Sequence, residues 1–352
     1  MNVEQMKLVV KEIVTKTDLT PCIVGHRGVG KSAGIRQLAH DIGLSYRSVR
    51  LGQMEVGDLI GIPFREGSVM FWSKPCWWPE ENDPPTLIHC DELNRAQQED
   101  TLQAIFQFVE PPPPGGRRAL HTHTLSPRHK VVVTINPPDG TYQVAPLDRA
   151  LIDRMILLHV ESDLSCWLSY ASRQGLDQDV RGFVSLNRDL LARQGERMEI
   201  LAEPTERGWE MVSILKQQCR IPPELEVEVY AGIVGTEAAI AFVRWSRERS
   251  DRPVAAADIL SRWDEVRLRA AAQRDDLQAA TIADLVAHLK EHGDISEAEE
   301  LNLVAYIDTL PRDLKFALVK SLMSIPTVAA RLSSDRHDAV ILDAIRHIST
   351  TA

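Results

Sequence analysis

No apolar run in these 352 residues approaches the length of about 20 that crossing a bilayer requires. The N-terminus also lacks the basic, apolar and small-residue succession of a signal peptide. A chain that inserts in no membrane and works in the cytoplasm is therefore expected. Cysteine is scarce: five residues at 22, 76, 90, 166 and 219, odd in number and without a C-x-x-C pair. That pattern suits core thiols in a reducing compartment and not a disulfide framework. Positive charge is in deficit, with 40 Lys and Arg against 50 Asp and Glu, a net charge of −10. The balance argues against a general binder of nucleic acid or anionic membrane and leaves room for a local basic patch. Aromatics make up only 5%. What remains is 44% hydrophobic and 26% charged, the make-up of a globular chain with ample core, at a length that suits about two domains.

One stretch organises the rest. Gly25, His26, Arg27, Gly28, Val29, Gly30, Lys31 and Ser32 spell G-x-x-x-x-G-K-S. Before it, Pro21 opens a short apolar run over Cys22, Ile23 and Val24, suited to a buried strand. After it, Ile35, Leu38, Ala39 and Ile42 recur at helical spacing, and Gly43 supplies a stop. A strand thus runs into a glycine-rich loop that opens a helix. Successive backbone N–H groups can turn inward around a polyanion there, and side chains at Gly28 and Gly30 would obstruct that approach. The helix N-terminus adds positive potential. In this setting Lys31 reaches the β- and γ-phosphates of a nucleotide and the Ser32 hydroxyl ligates Mg²⁺.

A second stretch, Thr86-Leu87-Ile88-His89-Cys90-Asp91-Glu92, reads as a buried strand tipped by two carboxylates. Ligands of open parallel sheets bind at that edge. Asp91 is the candidate Mg²⁺ ligand, and Glu92 the candidate that orients and polarises an attacking water. Alone the pair is a weak signal; about 60 residues after a phosphate loop it becomes a strong one. A third strand, Val131 to Ile135, ends at Asn136, whose amide can hold that water or touch the γ-phosphate.

Elsewhere a helix is expected over 3–15, a strand over Tyr46–Leu51, and a helix over Asn94–Glu110 stopped by four prolines. Residues 52–85 read as a loop insertion holding Trp72, Trp77 and Trp78, three of the seven tryptophans. The rings could face a partner or pore, or plug a hydrophobic edge between subunits or elements. Residues 117–125 alternate as a hairpin and lead to Arg128, His129 and Lys130, the one basic cluster. It either faces a polymer or partner or is merely solvated; His121 and His123 lack a third ligand at metal spacing. Residues 147–154 form a short helix carrying Arg149 and Arg154, about 140° apart on such a helix. Met155–Val160 is a further strand, and from Glu161 on only helices are expected, with Leu225–Trp245 as one run.

Taken in order, the phosphate loop, Asp91-Glu92-Leu93-Asn94-Arg95-Ala96, Thr134-Ile135-Asn136-Pro137 and Leu151-Ile152-Asp153-Arg154 resemble the MoxR branch of AAA+ ATPases over roughly residues 1–290. The resemblance implies an α/β P-loop AAA+ parallel-sheet domain over 1–160, with insertions at 52–85 and 111–130 that face a ring pore in relatives. It further implies an all-helical lid over 161–290, followed here by a helical C-terminal tail over 291–352 that has no counterpart. By the same resemblance Gly25–Ser32 is Walker A, Asp91 with Glu92 is Walker B, and Asn136 is sensor 1. Arg154 is then the arginine finger reaching a neighbouring subunit's nucleotide, with Arg149 as competitor, and Arg207 in Pro204-Thr205-Glu206-Arg207 is sensor 2. ATP and Mg²⁺ are the implied cofactors, a ring of usually six subunits the assembly, and a von Willebrand factor A-domain protein or a protein client the partner. Met155, where the family has Phe, and His89 and Cys90 in the acidic strand depart from the pattern. The expected activity is ATP-driven remodelling of a partner protein. The alternatives are a DNA or RNA motor, for which Arg117, Arg118, Arg128 and Lys130 speak, and an ATP-gated scaffold, against which an intact Glu92 speaks.

Overall fold

A computed structural model describes residues 1–96, 99–138, 147–192, 202–247 and 253–333. The chain forms two compact units, Met1–Ser162 and Asp163 onward. The first is an α/β unit and the second, among its described residues, is entirely helical. This is the α/β class of fold expected from the sequence, a parallel sheet followed by a helical region.

In the first unit, helix α1 (Val3–Lys16) precedes strand β1 (Thr20–Val24), helix α2 (Lys31–Asp41) and strand β2 (Ser45–Arg50). After the insertion come β5 (Thr86–Asp91), helix α4 (Glu99–Val109), β8 (Lys130–Ile135), the single-turn helix α5 (Arg149–Ile152) and β9 (Met155–His159). The five strands form one sheet in the order β2-β5-β8-β1-β9, and every pair is parallel. Alternation along the strands divides the core in two. Ile23, Leu87 and Val132 face α1 and α2, where Met6, Val10, Ile35 and Leu38 complete a cluster. Cys22, Val24, Ile88, Cys90, Val131 and Val133 face the other way, onto Ile105 and Phe108 of α4. Such two-sided burial is why the strands read as near-continuous apolar runs.

The insertion is more ordered than a loop. Helix α3 (Val56–Ile60) leads into the antiparallel hairpin of β3 (Pro63–Glu66) and β4 (Val69–Trp72). Trp77 and Trp78 are buried in the domain core, with both rings within 6 Å of Phe108, so of the two readings the plug within the fold is the one observed. The exposed apolar side chains of this region are instead Ile62, Phe64, Val69, Met70 and Phe71, and Phe64 stacks on Phe71.

The basic hairpin shrinks to β6 (Ala119–Leu120) and β7 (His123–Thr124), turned at His121 with φ 54°. Its cations serve the fold. Arg118 is buried and donates to the carbonyls of Phe108, Glu110 and Asp18, and Lys130 donates to Thr17 O and pairs with Asp18. Arg117 pairs with Glu81, and His129 contacts Glu80 O. His123 contacts Ile60 O and the His121 ring packs on Trp72, so neither is arranged to share a metal. Arg117 and Arg128 remain exposed, whereas the partners of Arg118 and Lys130 lie up to about 110 residues away, which local alternation could not show.

The helical unit contains α6 (Leu164–Arg173), α7 (Gln178–Leu186), α8 (Glu206–Gln218), α9 (Glu226–Val234) and α10 (Thr236–Arg247) around Phe183, Trp209 and Phe242. A second cluster joins α11 (Ala256–Ser261), α12 (Trp263–Ala271), α13 (Asp275–His292), α14 (Glu297–Thr309), α15 (Arg312–Leu322) and α16 (Pro326–Leu332). Helix α13 serves both, with Ala287 in the first cluster and Leu285 and Leu289 in the second. The single run expected over Leu225–Trp245 is two helices, because Gly235 takes φ 82° and ends α9. Of the C-terminal tail, residues 334–352 lie outside the described residues. Among those described, no helix is long and apolar enough to cross a membrane.

If Arg118 is a structural cation, Arg118→Ala should lower the free energy of unfolding by about 2–3 kcal/mol, the scale of lost charged hydrogen bonds. Arg117→Ala, which removes an exposed ion pair, should cost less than about 1 kcal/mol. Urea denaturation of both variants gives the comparison.

Candidate nucleotide site

Three chain segments meet at the C-terminal edge of the sheet, and the strand order decides which. Strand β8 lies between β1 and β5, so the end of β8 at Asn136 falls between the glycine loop that follows β1 and the acidic pair that ends β5. The loop is shaped by its glycines. A Cβ on Gly25 would stand 2.7 Å from the carbonyl oxygen of Val160. Gly30 caps α2 at φ 95°, a left-handed conformation that disfavours any side chain. Val29 is buried in the core beneath, so only its backbone can face a ligand; His26 is half-buried and Arg27 exposed.

Lys31, the first residue of α2, folds its ammonium back over the loop. It donates to the carbonyls of Gly25 and His26 (2.8 Å to the latter) and to Asn136 Oδ1 at 3.2 Å. Ser32 Oγ lies 3.3 and 3.2 Å from the two Asp91 carboxylate oxygens. Residues 59 and 105 positions apart are thereby brought together. Hydroxyl and carboxylate form an all-oxygen donor set, the preference of a hard cation such as Mg²⁺. No group of three or more His, Cys, Asp or Glu suited to a metal occurs among the described residues.

Glu92 follows Asp91 in the left-handed region at φ 55°, ψ 44°. The reversal lifts its carboxylate out of the strand, where it lies 3.2 Å from the Arg95 guanidinium. Holding a non-glycine residue there costs roughly 1–2 kcal/mol, so the surroundings must fix it. Its backbone N–H donates to Thr134 Oγ1 at 3.4 Å, and Thr134 donates to Asp91 Oδ1 at 2.6 Å. Behind them His89, its imidazole pushed down to about 4 by burial, is neutral near pH 7. Burial pushes the Cys22 and Cys90 thiols up to about 12, so both stay protonated.

Asn136 is itself clamped. Asn94 Nδ2 donates to Asn136 O at 2.7 Å, and Asn136 N donates to Asn94 Oδ1 at 3.2 Å. This exchange consumes the Asn94 side chain, and the helix expected from Asn94 is instead a 3-10 turn over Leu93–Arg95, with α4 beginning at Glu99. Neither Asn94 nor Thr134 carries a functional signal in the sequence: Asn94 reads as a helix start, and Thr134 only as a polar residue near the end of an apolar strand. Arg154 lies past the end of α5, 2.5 Å from Ala150 O and 3.3 Å from Glu110, with its guanidinium over the Phe106 ring. Arg149 is exposed on α5. Arg207 is exposed in the first turn of α8, in the helical unit.

No family model and no curated protein matches the chain. Among solved structures it is similar to a putative ATPase from Cytophaga hutchinsonii, at 14% identity and a TM-score of 0.33, over 97% of this chain and 88% of that one. The site above stands on this chain's own geometry.

Removing the Asn94 amide would strand a buried N–H and C=O of Asn136. Asn94→Ala should therefore destabilise the protein by about 2 kcal/mol or more, read as a shifted midpoint in urea.

Proposed function

We propose that this chain is an ATP-hydrolysing ring ATPase of MoxR type, acting in the cytoplasm as a chaperone-like remodeller of a protein client, together with a von Willebrand factor A-domain protein. The observation that carries the ATPase reading is the meeting of Lys31, Ser32, Asp91 and Asn136 at one sheet edge beside Glu92. Phosphoryl transfer to water demands positioning and charge neutralisation more than covalent chemistry, and these residues supply both. The loop amides from Gly25 to Ser32 cradle the phosphates, and Lys31 exchanges backbone carbonyls for β- and γ-phosphate oxygens. Ser32 and Asp91 would hold Mg²⁺, which when bound neutralises charge on those same oxygens. Glu92 and Asn136 place a water opposite the β–γ bridge. Glu92 takes the water's proton as its oxygen bonds to the γ-phosphorus and the bridging oxygen leaves with ADP.

In this reading Arg154 is the finger offered to the neighbouring subunit's nucleotide, for which it must exchange Glu110 and the Ala150 carbonyl for phosphate. Arg149, exposed one turn earlier, is the competing candidate. Arg207 keeps the sensor 2 assignment. The exposed apolar hairpin of Phe64, Met70 and Phe71, beside a groove of about 680 Å³ bordered by Arg50, Ile62 and Lys74, supports a protein client over a nucleic acid. The engagement of Arg118 and Lys130 within the fold weighs against the motor reading, which keeps only the exposed Arg117 and Arg128.

Glu92→Gln should lower ATP turnover about 100-fold or more while Mg-ATP is retained, whereas Lys31→Ala should lose retention itself. Unchanged turnover in Glu92→Gln would remove the mechanism. In native mass measurements the ATP-trapped Glu92→Gln protein should move from 39.4 kDa to about six times that mass. A monomer with and without Mg-ATP would favour the scaffold reading. Arg154→Ala should retain ATP and assemble yet turn over at least about 10-fold more slowly, and Arg149→Ala should not.

A further inference from the structure

The ATPase mechanism leaves one residue of the acidic strand idle. His89 is fully buried in strand β5, and both of its ring nitrogens are engaged. Nδ1 lies 2.7 Å from the Tyr46 hydroxyl and Nε2 2.9 Å from Thr134 Oγ1. Counting protons fixes the direction of each bond. Thr134 has one hydroxyl hydrogen and gives it to Asp91 Oδ1 at 2.6 Å. Its oxygen can then only accept from His89, as it accepts from the Glu92 backbone N–H. Nε2 therefore bears the imidazole hydrogen, and the bare Nδ1 accepts the Tyr46 O–H.

The sheet register sets up this one-way chain. Tyr46 lies on β2, His89 on β5 and Thr134 on β8, and paired residues of parallel strands share a face. Ser48 is opposite His89, and Arg50 is opposite Asp91, so Tyr46, His89 and Asp91 point to the same side of the sheet. Tyr46 closes the chain at the edge strand, half-buried under the Arg36 guanidinium at 5.3 Å.

We infer that His89, held by Tyr46, is a positioning residue for the phosphate-cleaving site: through Thr134 it fixes the Asp91 carboxylate that would hold the divalent cation and anchors the backbone of Glu92. The inference rests on the ATPase reading above. An unheld carboxylate turns freely about its last bond. With Oδ1 tied to Thr134, Asp91 is held with both oxygens within 3.3 Å of Ser32. Outer partners of this kind commonly tune metal affinity or activity 10- to 100-fold.

The test compares Tyr46→Phe, His89→Leu and His89→Gln in the full chain. Mg²⁺ is titrated at fixed nucleotide and read both as retention of a fluorescent ATP analogue and as phosphate release. His89→Leu should raise the half-saturating Mg²⁺ concentration about 10-fold, and Tyr46→Phe, one bond further out, about threefold. The KM for ATP at saturating Mg²⁺ should stay within about twofold, and His89→Gln, whose amide N–H can serve Thr134, should recover most of the loss. If His89→Leu does not fold, Tyr46→Phe decides, since it deletes one oxygen from a half-buried ring. Nitrogen-15 spectra of the imidazoles give a readout without nucleotide: His89 should be the neutral Nε2–H tautomer, and an Nδ1–H form would overturn the proton count. Folded variants whose Mg²⁺ curves overlay that of the unsubstituted chain would overturn the inference alone. No Mg²⁺-dependent retention in the unsubstituted chain would sink the ATPase reading and the inference with it, so that control separates the two failures.

Discussion

The insertion of β8 between β1 and β5 is the constraint on which the nucleotide edge depends. Adjacent strands lie about 4.8 Å apart, so β1 and β5, which carry the glycine loop and the acidic pair, run about 10 Å apart with β8 and Asn136 between them. Lys31 reaches Asn136, and Ser32, one position on, reaches Asp91. The order of five strands thus sorts the Lys31 ammonium toward the middle of the edge and the paired Ser32 and Asp91 oxygens toward its side.

The same edge is where the core admits polar groups, and each has named partners. Thr134 makes three contacts, His89 uses both nitrogens, and the two asparagines exchange bonds through side chain and backbone. Arg118, burying its charge some distance off, satisfies itself on three carbonyls. An unsatisfied buried polar group costs about 1–3 kcal/mol, so such networks hold one arrangement of the strands better than an all-aliphatic core would. The aliphatic parts of the sheet supply burial without direction; these side chains supply register.

What the sequence made legible was local. The glycine loop announces itself because a phosphate cradle requires particular residues at fixed spacing, and the valines of β8 could hardly be anything but a buried strand. Partner choice across long separations was not legible. Trp77 and Trp78 stand next to one another in a polar insertion, and only the position of Phe108 on α4 makes them core. Arg118 sits in a basic run, yet its acceptors include Asp18, 100 residues earlier. Asn94 looked like a helix start because its bond to Asn136 depends on strand order. Gly235 was the missed local signal: one left-handed residue divides an otherwise uniform helical pattern.

Glu92 shows what this arrangement asks of the chain. Its left-handed backbone is one that glycine or asparagine adopts most readily, and a glutamate there is under steric penalty. Selection for thermal stability alone would favour replacing it, since glycine would relieve the strain and leave the Arg95 contact as a minor loss at the surface. On the proposed ATPase reading, stability and turnover therefore pull in opposite directions at this position. A stabilised descendant would then be expected to drift first toward losing hydrolysis while keeping the glycine loop intact.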